Sequence, residues 1–429
     1  MRSYFFISFL MFISIPYCLF AETTQGDIDE KALNHLNRLR KMVSMKSFQI
    51  NPYLDVAAKN HAKYLVENGQ IGHLEQPGLL FFTGVYPVER AMKAGYASKN
   101  VSENLSLGQA DGAESINGLM SAIYHRFGFL GFLNDEIGIG IIKGNHGQQY
   151  VYMMGNRSLS RFCGSTIYMD ESVFYQDACK HRERVSAEKY DFIQIESLKN
   201  NPPVVLWPPP DSDFVDGVFF EESPDPLPDL NVSGYPVSLQ LNPHFFKEIR
   251  LNYFRLYSSK DNSEIRNVRI LSQKNDPNHK LTRHQFALFP LKRLDWGTQY
   301  RVEAGIFANG KNQKWIWSFK VRSLAQPLVT IQAKGESIYI QPGKKYAIYF
   351  PPQKNLPYIE KLKWEMSDNV KTKIDWEDKN TINITALGEI CQKITFFIND
   401  QRFFQVFIGA LSYAKPNKLS ELSFQSCEK

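Results

Sequence analysis

The sequence lacks a strong excess of charge of either sign. Its 50 lysines and arginines against 44 acidic residues leave a net charge of +6 over 429 residues. No stripe of basic residues with interleaved aromatic residues is present, so the pattern typical of nucleic-acid binding is missing. The sequence also lacks a phosphate-cradling glycine loop and a serine in a nucleophile elbow. We therefore expect no nucleic-acid partner, and neither a nucleotide site nor a serine nucleophile.

The one long apolar run of note lies at the N-terminus. Arg2 precedes a run from Tyr4 to Phe20, and Ala21 is followed by polar residues. This pattern is typical of a secretory signal peptide cleaved near Ala21. We therefore expect residues 1–21 to be removed, and the mature protein to be secreted or periplasmic.

Two alternatives for this segment can be weighed from its own residues. A retained transmembrane anchor is disfavoured because Pro16 interrupts the run and no basic stop-transfer cluster follows. Cys18 suggests a lipoprotein, but Pro16 and the tyrosine after it are not the small residues that such a site uses. We expect neither an anchor nor a lipid.

Cysteine is scarce, with five residues in the whole chain. Without the signal peptide four remain, and an even number in an exported protein indicates two disulfides. The local pairing joins Cys163 to Cys179 and Cys391 to Cys427, and it keeps each bond inside one domain. Three connectivities are possible, and the sequence does not choose between them. None of these cysteines has the spacing of a metal site.

The length predicts two to three domains. From 27 to 160 the apolar residues follow a helical period first and a strand period last, which predicts an α+β domain. One predicted helix is capped by Asn51 and stops at Gly69, and a short helix follows Pro87. A third begins with a capping box at Asp111. The strands are "EIGIGII" and "QYVYMMGN".

The rest of the chain has another character. Residues 161–234 are predicted to hold a disulfide, a charged helix near "HRERVSAEKYDF", and a proline-rich connector that is ordered but irregular. In residues 235–324 the hydrophobic pattern has period two, with a turn at Asn309-Gly310, which predicts an immunoglobulin-like β-sandwich. A second β domain is expected over 325–429. The change of period predicts that residues 22 to about 160 fold alone, and that proteases cut first in the connector.

The helical part resembles a known family over roughly residues 30–156. The resemblance rests on the order and spacing of "LNHLNRLR", "LDVAAKNHAKYLVENG", "IGHLE", "ERAMKAGY", "VSENLS", "YHRFGFL" and "DEIGIGI". These segments are similar to a bacterial member of the CAP superfamily, the cysteine-rich secretory, antigen-5 and pathogenesis-related family. The resemblance implies an α-β-α sandwich. "LDWGTQY" before a β run likewise resembles the tyrosine corner of immunoglobulin-like and fibronectin-type sandwiches, so one or two such all-β domains are expected to follow.

The resemblance also implies a cleft lined by two histidines and, commonly, two acids. The matching residues are His73 in "GH", Glu103 in "EN" and His125 in "HR". The second acid is missing, because no Asp or Glu occurs from Ser115 to Asn134. Animal members place that acid where this chain has Ser121 or Ala122, and Leu119 replaces their usual tryptophan. A two-acid mechanism therefore has no local support.

Two imidazoles and a carboxylate would suit Zn²⁺ or another divalent cation with an open fourth position, and such a metal could activate water. The paired-histidine helix of zinc hydrolases is absent, however. Alternatively, Glu103 is a structural hydrogen-bond acceptor in a buried polar network. His61 lies on the apolar stripe of its helix and is predicted to be a core histidine.

Two functions are therefore open. The first is an extracytoplasmic binding module whose His73/Glu103/His125 cleft takes a small molecule, a lipid or a divalent metal, with the β domains facing an envelope or protein partner. The second is a metal-dependent hydrolase in which Glu103 is the catalytic acid or base. The sequence does not decide whether the protein is an enzyme, since function lies in sites and not in folds.

Overall fold

The computed structural model describes residues 25–165, 173–180, 184–353 and 356–409. The first unit has five helices and a four-stranded sheet. In chain order these are α1 (Gln25–Met42), β1 (Gln49–Ile50), α2 (Pro52–Asn68), α3 (Pro87–Ala94), β2 (Val101–Leu107), α4 (Gly112–Ser121), α5 (Ile123–Phe129), β3 (Glu136–Gly144) and β4 (Gly147–Gly155).

The predicted signals set the ends of the helices. The Asn51 side chain accepts hydrogen bonds from the first amides of α2, and Gly69 ends that helix in the left-handed conformation at φ 59°. Asp111 caps α4 by accepting from the amide of Glu114. Local chemistry therefore decides where these two helices start and where α2 stops.

The sheet of this unit lies between two layers of helices. Its strand order is β1-β3-β4-β2, with β1 parallel to β3 and the other pairs antiparallel. Alternate side chains of β3 and β4 pack in one core with α1 and α4, whereas α2 and α3 form a second core with the other face of β4. The expected α-β-α sandwich is confirmed.

A disulfide-linked segment follows the sandwich. It contains α6 (Arg157–Gly164), β5 (Phe174–Tyr175), β6 (Val185–Ser186) and α7 (Ala187–Lys199). Cys163 is bonded to Cys179, which confirms this predicted pair. Cys179 forms a β-bridge with Ser98, so the segment is attached to the chain just before β2. Of the two helices, α7 overlaps the charged helix predicted near "HRERVSAEKYDF", whereas α6 had not been predicted.

The next unit is a β-sandwich of a four-stranded sheet, β10-β11-β8-β7, and a three-stranded sheet, β13-β12-β9. Its strands are β7 (Val204–Trp207), β8 (Val237–Leu241), β9 (Ile249–Ser258), β10 (Val268–Leu271), β11 (Gln285–Pro290), β12 (Gln299–Ala308) and β13 (Lys311–Lys320). The predicted start at residue 235 is too late, because β7 pairs with β8 although it lies inside the proline-rich stretch.

Two sequence signals of this sandwich are borne out. Asn309 and Gly310 both have positive φ, at 51° and 77°, as the tight turn between β12 and β13 requires. The Tyr300 hydroxyl accepts a hydrogen bond from the amide of Asp295 at 2.9 Å, which is the contact of a tyrosine corner.

A second β unit follows the first sandwich. Its sheets have the orders β14-β16-β19-β18 and β15-β21-β20-β17 around a separate hydrophobic core. The strands are β14 (Leu328–Thr330), β15 (Glu336–Ile340), β16 (Lys345–Tyr349), β17 (Leu362–Met366), β18 (Lys371–Asp378), β19 (Thr381–Leu387), β20 (Lys393–Ile398) and β21 (Gln401–Ile408).

The helical unit and the first sandwich share buried contacts. The guanidinium of Arg126 on α5 is fully buried, and its Nη1 donates to the carbonyl oxygen of Pro236 at 2.9 Å and to Ser238 Oγ at 3.0 Å. The Tyr235 hydroxyl donates to the carbonyl oxygen of Met120 at 3.0 Å. The connector and the sandwich thus pack on the helical unit, which weighs against the expectation that this unit folds alone.

The signal peptide predicted over residues 1–21 and the cysteine predicted to pair with Cys391, Cys427, lie outside the described residues, so both stay predictions. Within the part of the chain that the structure describes, no helix is both long and apolar enough to cross a membrane.

Candidate active site and cation cleft

The three predicted cleft residues come together from three elements. His73 lies in the loop after α2, Glu103 on β2 and His125 in the first turn of α5. The two imidazole rings stack at an angle of 24°, with 6.5 Å between their centroids. Solvent reaches 41% of the His73 side chain and 13% of the His125 side chain. The structure therefore forms a pair of neighbouring imidazoles here, of which His73 is the more exposed.

Glu103 lies beneath this pair, and its carboxylate is fully engaged. Oε1 accepts from Nδ1 of His73 at 2.9 Å, and both oxygens accept from Nη2 of Arg90 at 2.9 Å. Its side chain is only 1% exposed. Burial alone would raise the pKa of Glu103, but the hydrogen bond from His73 and the nearby charges of His61 and Arg90 lower it overall. Glu103 is thus held as a carboxylate.

A second buried pair supports the first. His61 is fully buried, as predicted, and its Nδ1 lies 2.9 Å from Oε1 of Glu75. Glu75 also accepts from the amides of Thr83 and Gly84. Burial would raise the pKa of Glu75, yet the hydrogen bonds from His61 and Thr83 lower it. His61 and Glu75 therefore belong to the buried network below the cleft.

The acid that is missing from α4 and α5 is replaced from another part of the chain. Oε2 of Glu222, in the proline-rich connector, lies 2.9 Å from Nδ1 of His125. Oε1 of the same carboxylate accepts from the amide of Tyr124 at 3.1 Å. The Glu222 side chain is 2% exposed. Ser121 and Ala122, the positions where animal members carry the acid, are not needed for this role.

The two imidazoles are therefore held in the same way. Each has Nδ1 at a buried carboxylate, and no hydrogen bond to Nε2 of His73 or His125 is present among the described residues. A carboxylate on one ring nitrogen is the arrangement that directs the other nitrogen to a metal. The fit to a cation is limited to two nitrogen ligands, because no group of three or more His, Cys, Asp or Glu in the described ranges is placed to hold a metal.

Sequence reasoning missed three members of this network. Glu75 stands two residues after His73, and this spacing was its only signal. Arg90 lies on a short helix where a charged residue would ordinarily face solvent, but it is buried. Glu222 lies 97 residues from its histidine and has no local signal at all.

Comparison with known proteins identifies the first unit. Residues 33–156 match the model described as the cysteine-rich secretory protein family, CAP. These residues form a CAP domain. No protein of curated function matches the chain.

Solved structures give partial likenesses. An outer surface protein of Borrelia burgdorferi is 24% identical over 30% of this chain and 91% of its own, with a TM-score of 0.27. An extracellular protein with an SCP domain from Bacillus anthracis is 15% identical over 32% of this chain and 45% of its own, with a TM-score of 0.28. The fibronectin(III)-like modules of Clostridium thermocellum CbhA are 11% identical over 48% of this chain and 93% of theirs, with a TM-score of 0.16.

Proposed function

We propose that this protein is an exported CAP-domain binding module whose cleft takes a divalent cation, Zn²⁺ being the best match, through Nε2 of His73 and His125. The observation that supports this is the pair of stacked imidazoles with a buried carboxylate at each Nδ1. Imidazole nitrogen is a preferred zinc ligand, and water or a small ligand would complete a coordination shell of four. A Zn²⁺ ion bound there would act as a Lewis acid toward that ligand.

A binding role is favoured over hydrolysis by the state of Glu103. A general base works best with a pKa near the working pH and must be free to reach a proton. Glu103 has a lowered pKa, and its oxygens are occupied by His73 and Arg90. We therefore propose that Glu103 orients His73 and takes no proton from a substrate, so the metal-dependent hydrolase has no supporting observation.

The proposal extends to the location of the protein and to its partners. A disulfide between Cys163 and Cys179 fits an oxidising compartment, so we propose that the protein acts outside the cytoplasm, secreted or periplasmic. We further propose that the two β units, which do not contribute ligands to the cleft, face an envelope or protein partner.

Calorimetric titration of the full chain with Zn²⁺ tests the cleft. We expect modest affinity, because only two protein nitrogens bind, and at least about tenfold weaker binding in His73→Ala and in His125→Ala. His146→Ala, which removes an exposed histidine of the β3–β4 turn, is the control and should bind as the wild type does. Unchanged affinity in His73→Ala would refute the proposal.

A further inference from the structure

We infer that Glu222 is a positioning residue of the CAP cleft, which fixes the ring of His125 through Nδ1 and leaves Nε2 for the ligand. The effect on ligand affinity rests on the proposed function, whereas the effect on the ring does not. One part of the cleft thus lies outside the CAP domain, in the connector.

One carboxylate holds two successive residues at the start of α5. Oε1 of Glu222 accepts from the amide of Tyr124 at 3.1 Å, and Oε2 lies 2.9 Å from Nδ1 of His125. Because both oxygens are used and the side chain is 2% exposed, the carboxylate has little freedom to turn. The backbone and the ring of this part of α5 are therefore fixed relative to each other.

This contact determines which nitrogen of His125 is free. A carboxylate only accepts hydrogen bonds, so Nδ1 must carry a proton, and in the neutral ring the lone pair is then on Nε2. Glu103 imposes the same tautomer on His73 from the other side of the cleft. Both rings are thus prepared in the same state, with two carboxylates that come from different parts of the chain.

The connector is itself held in place where it delivers Glu222. The Tyr124 hydroxyl donates to Asp276 in the sandwich and accepts from Nδ2 of Asn278. Nδ2 of Asn278 also donates to the carbonyl oxygen of Asp225 at 2.6 Å. The sandwich loop thus contacts both α5 and the chain just after Glu222, which limits movement of one against the other.

The chain before Glu222 is fixed as well. Phe219 is buried, and its backbone exchanges hydrogen bonds with Ser233 at 2.9 Å in both directions. Its ring lies 5.6 Å from that of Phe289 on β11. A positioning residue needs such rigid support, because a shift of about 1 Å is enough to lose the orientation that it provides.

The test uses three substitutions of Glu222 in the full chain. Glu222→Ala and the similarly sized Glu222→Met remove both acceptors, whereas Glu222→Gln keeps one carbonyl oxygen for the amide of Tyr124 and turns a donating NH₂ group toward Nδ1 of His125. Glu221→Ala is the matched control, since Glu221 is half exposed and pairs with Lys379 at 3.2 Å away from the cleft. Thermal unfolding shows which variants keep the native fold.

The first readout is the tautomer of His125, followed through its ring nitrogen signals by NMR at alkaline pH without metal. We expect protonated Nδ1 in the wild type and Glu221→Ala, and a shift toward protonated Nε2 in the Ala, Met and Gln variants of Glu222. The second readout is Zn²⁺ affinity, expected to be about tenfold weaker in the Ala, Met and Gln variants of Glu222 and unchanged in Glu221→Ala.

The two readouts separate the two claims. If folded Glu222→Ala or Glu222→Met keeps the wild-type tautomer, Glu222 does not position His125 and the inference is overturned. If the wild type binds no Zn²⁺ while the tautomer still changes as expected, the proposed cation function fails but the positioning role of Glu222 stands.

Discussion

Nη2 of Arg90 donates to both carboxylate oxygens of Glu103 at 2.9 Å, and both side chains are at most 1% exposed. Arg90 also donates to the carbonyl oxygen of His73 at 3.0 Å, and its Nε lies 3.7 Å from Glu75. A single buried cation therefore compensates two buried carboxylates and fixes the backbone at a cleft histidine.

The first prediction is that Arg90→Met lowers the free energy of unfolding by about 3–5 kcal/mol, because it leaves buried carboxylates without their cation. Denaturant unfolding would measure the loss. Lys93→Met on the same helix removes an exposed charge and should change stability by no more than about 0.5 kcal/mol. Equal losses of unfolding free energy in the two variants would show that the buried ion pair adds no stability beyond that of an exposed charge.

The second prediction concerns acid stability. The folded-state pKa values of Glu75 and Glu103 are lowered despite their burial. Their contribution is therefore present above the ordinary carboxyl range and is lost as pH falls through the lowered pKa values. Glu103→Gln should be less stable at neutral pH and should lose less stability on acidification than the wild type.

Unfolding midpoints measured between neutral and strongly acidic pH would test this. Glu67→Gln, which changes an exposed glutamate on α2, should keep the wild-type dependence on pH. Parallel curves for Glu103→Gln and the wild type would contradict the prediction.

The third prediction concerns the closeness of α2 to the sheet. A Cβ at Gly138 on β3 would lie 2.0 Å from the carbonyl carbon of Leu54, so α2 can pack there only against a glycine. Gly138→Ala should cost about 3 kcal/mol in thermal or denaturant unfolding. Gly118 on α4 has nothing within 4 Å of a built Cβ, so Gly118→Ala should instead stabilise by about 0.5–1 kcal/mol. If both substitutions changed the free energy of unfolding in the same direction, this packing would be contradicted.

The sequence predicted the parts of the fold that local chemistry decides. Asn51, Gly69 and Asp111 mark helix ends because a cap satisfies backbone groups within a few residues. The strand "EIGIGII" was predicted from the alternation of its residues, which is also a local pattern. His73, Glu103 and His125 were found through the family resemblance, and the structure does bring these three together.

The parts that were missed depend on contacts that are distant in sequence. β7 lies between prolines and looks like a loop, and only its pairing with Leu241 and its neighbours on β8 makes it a strand. The second acid is absent from residues 115–134, as the sequence shows, but folding supplies it through Glu222. Neither the spacing nor the hydrophobic period of a proline-rich segment indicates which distant histidine its acid will reach.

The last prediction concerns the limits of the CAP unit. Ala122, Ile123 and Phe127 pack in one buried cluster with Phe219, Leu227 and residues of the sandwich, and Arg126 is buried against the same sandwich. A fragment of residues 22–160 would expose this apolar surface and leave the Arg126 guanidinium without its partners beyond residue 160.

We therefore expect fragment 22–160 to unfold at a lower temperature than fragment 22–324, which keeps the first sandwich, and to bind a hydrophobic dye. Fragment 22–200 is the matched control, because it retains the Cys163–Cys179 disulfide and α7 but neither Glu222 nor the sandwich. If the contact with the sandwich stabilises the CAP unit, fragment 22–200 should unfold at about the same temperature as fragment 22–160. If instead 22–160 unfolds at the same temperature as 22–324, the CAP unit folds independently and its contact with the sandwich adds no stability.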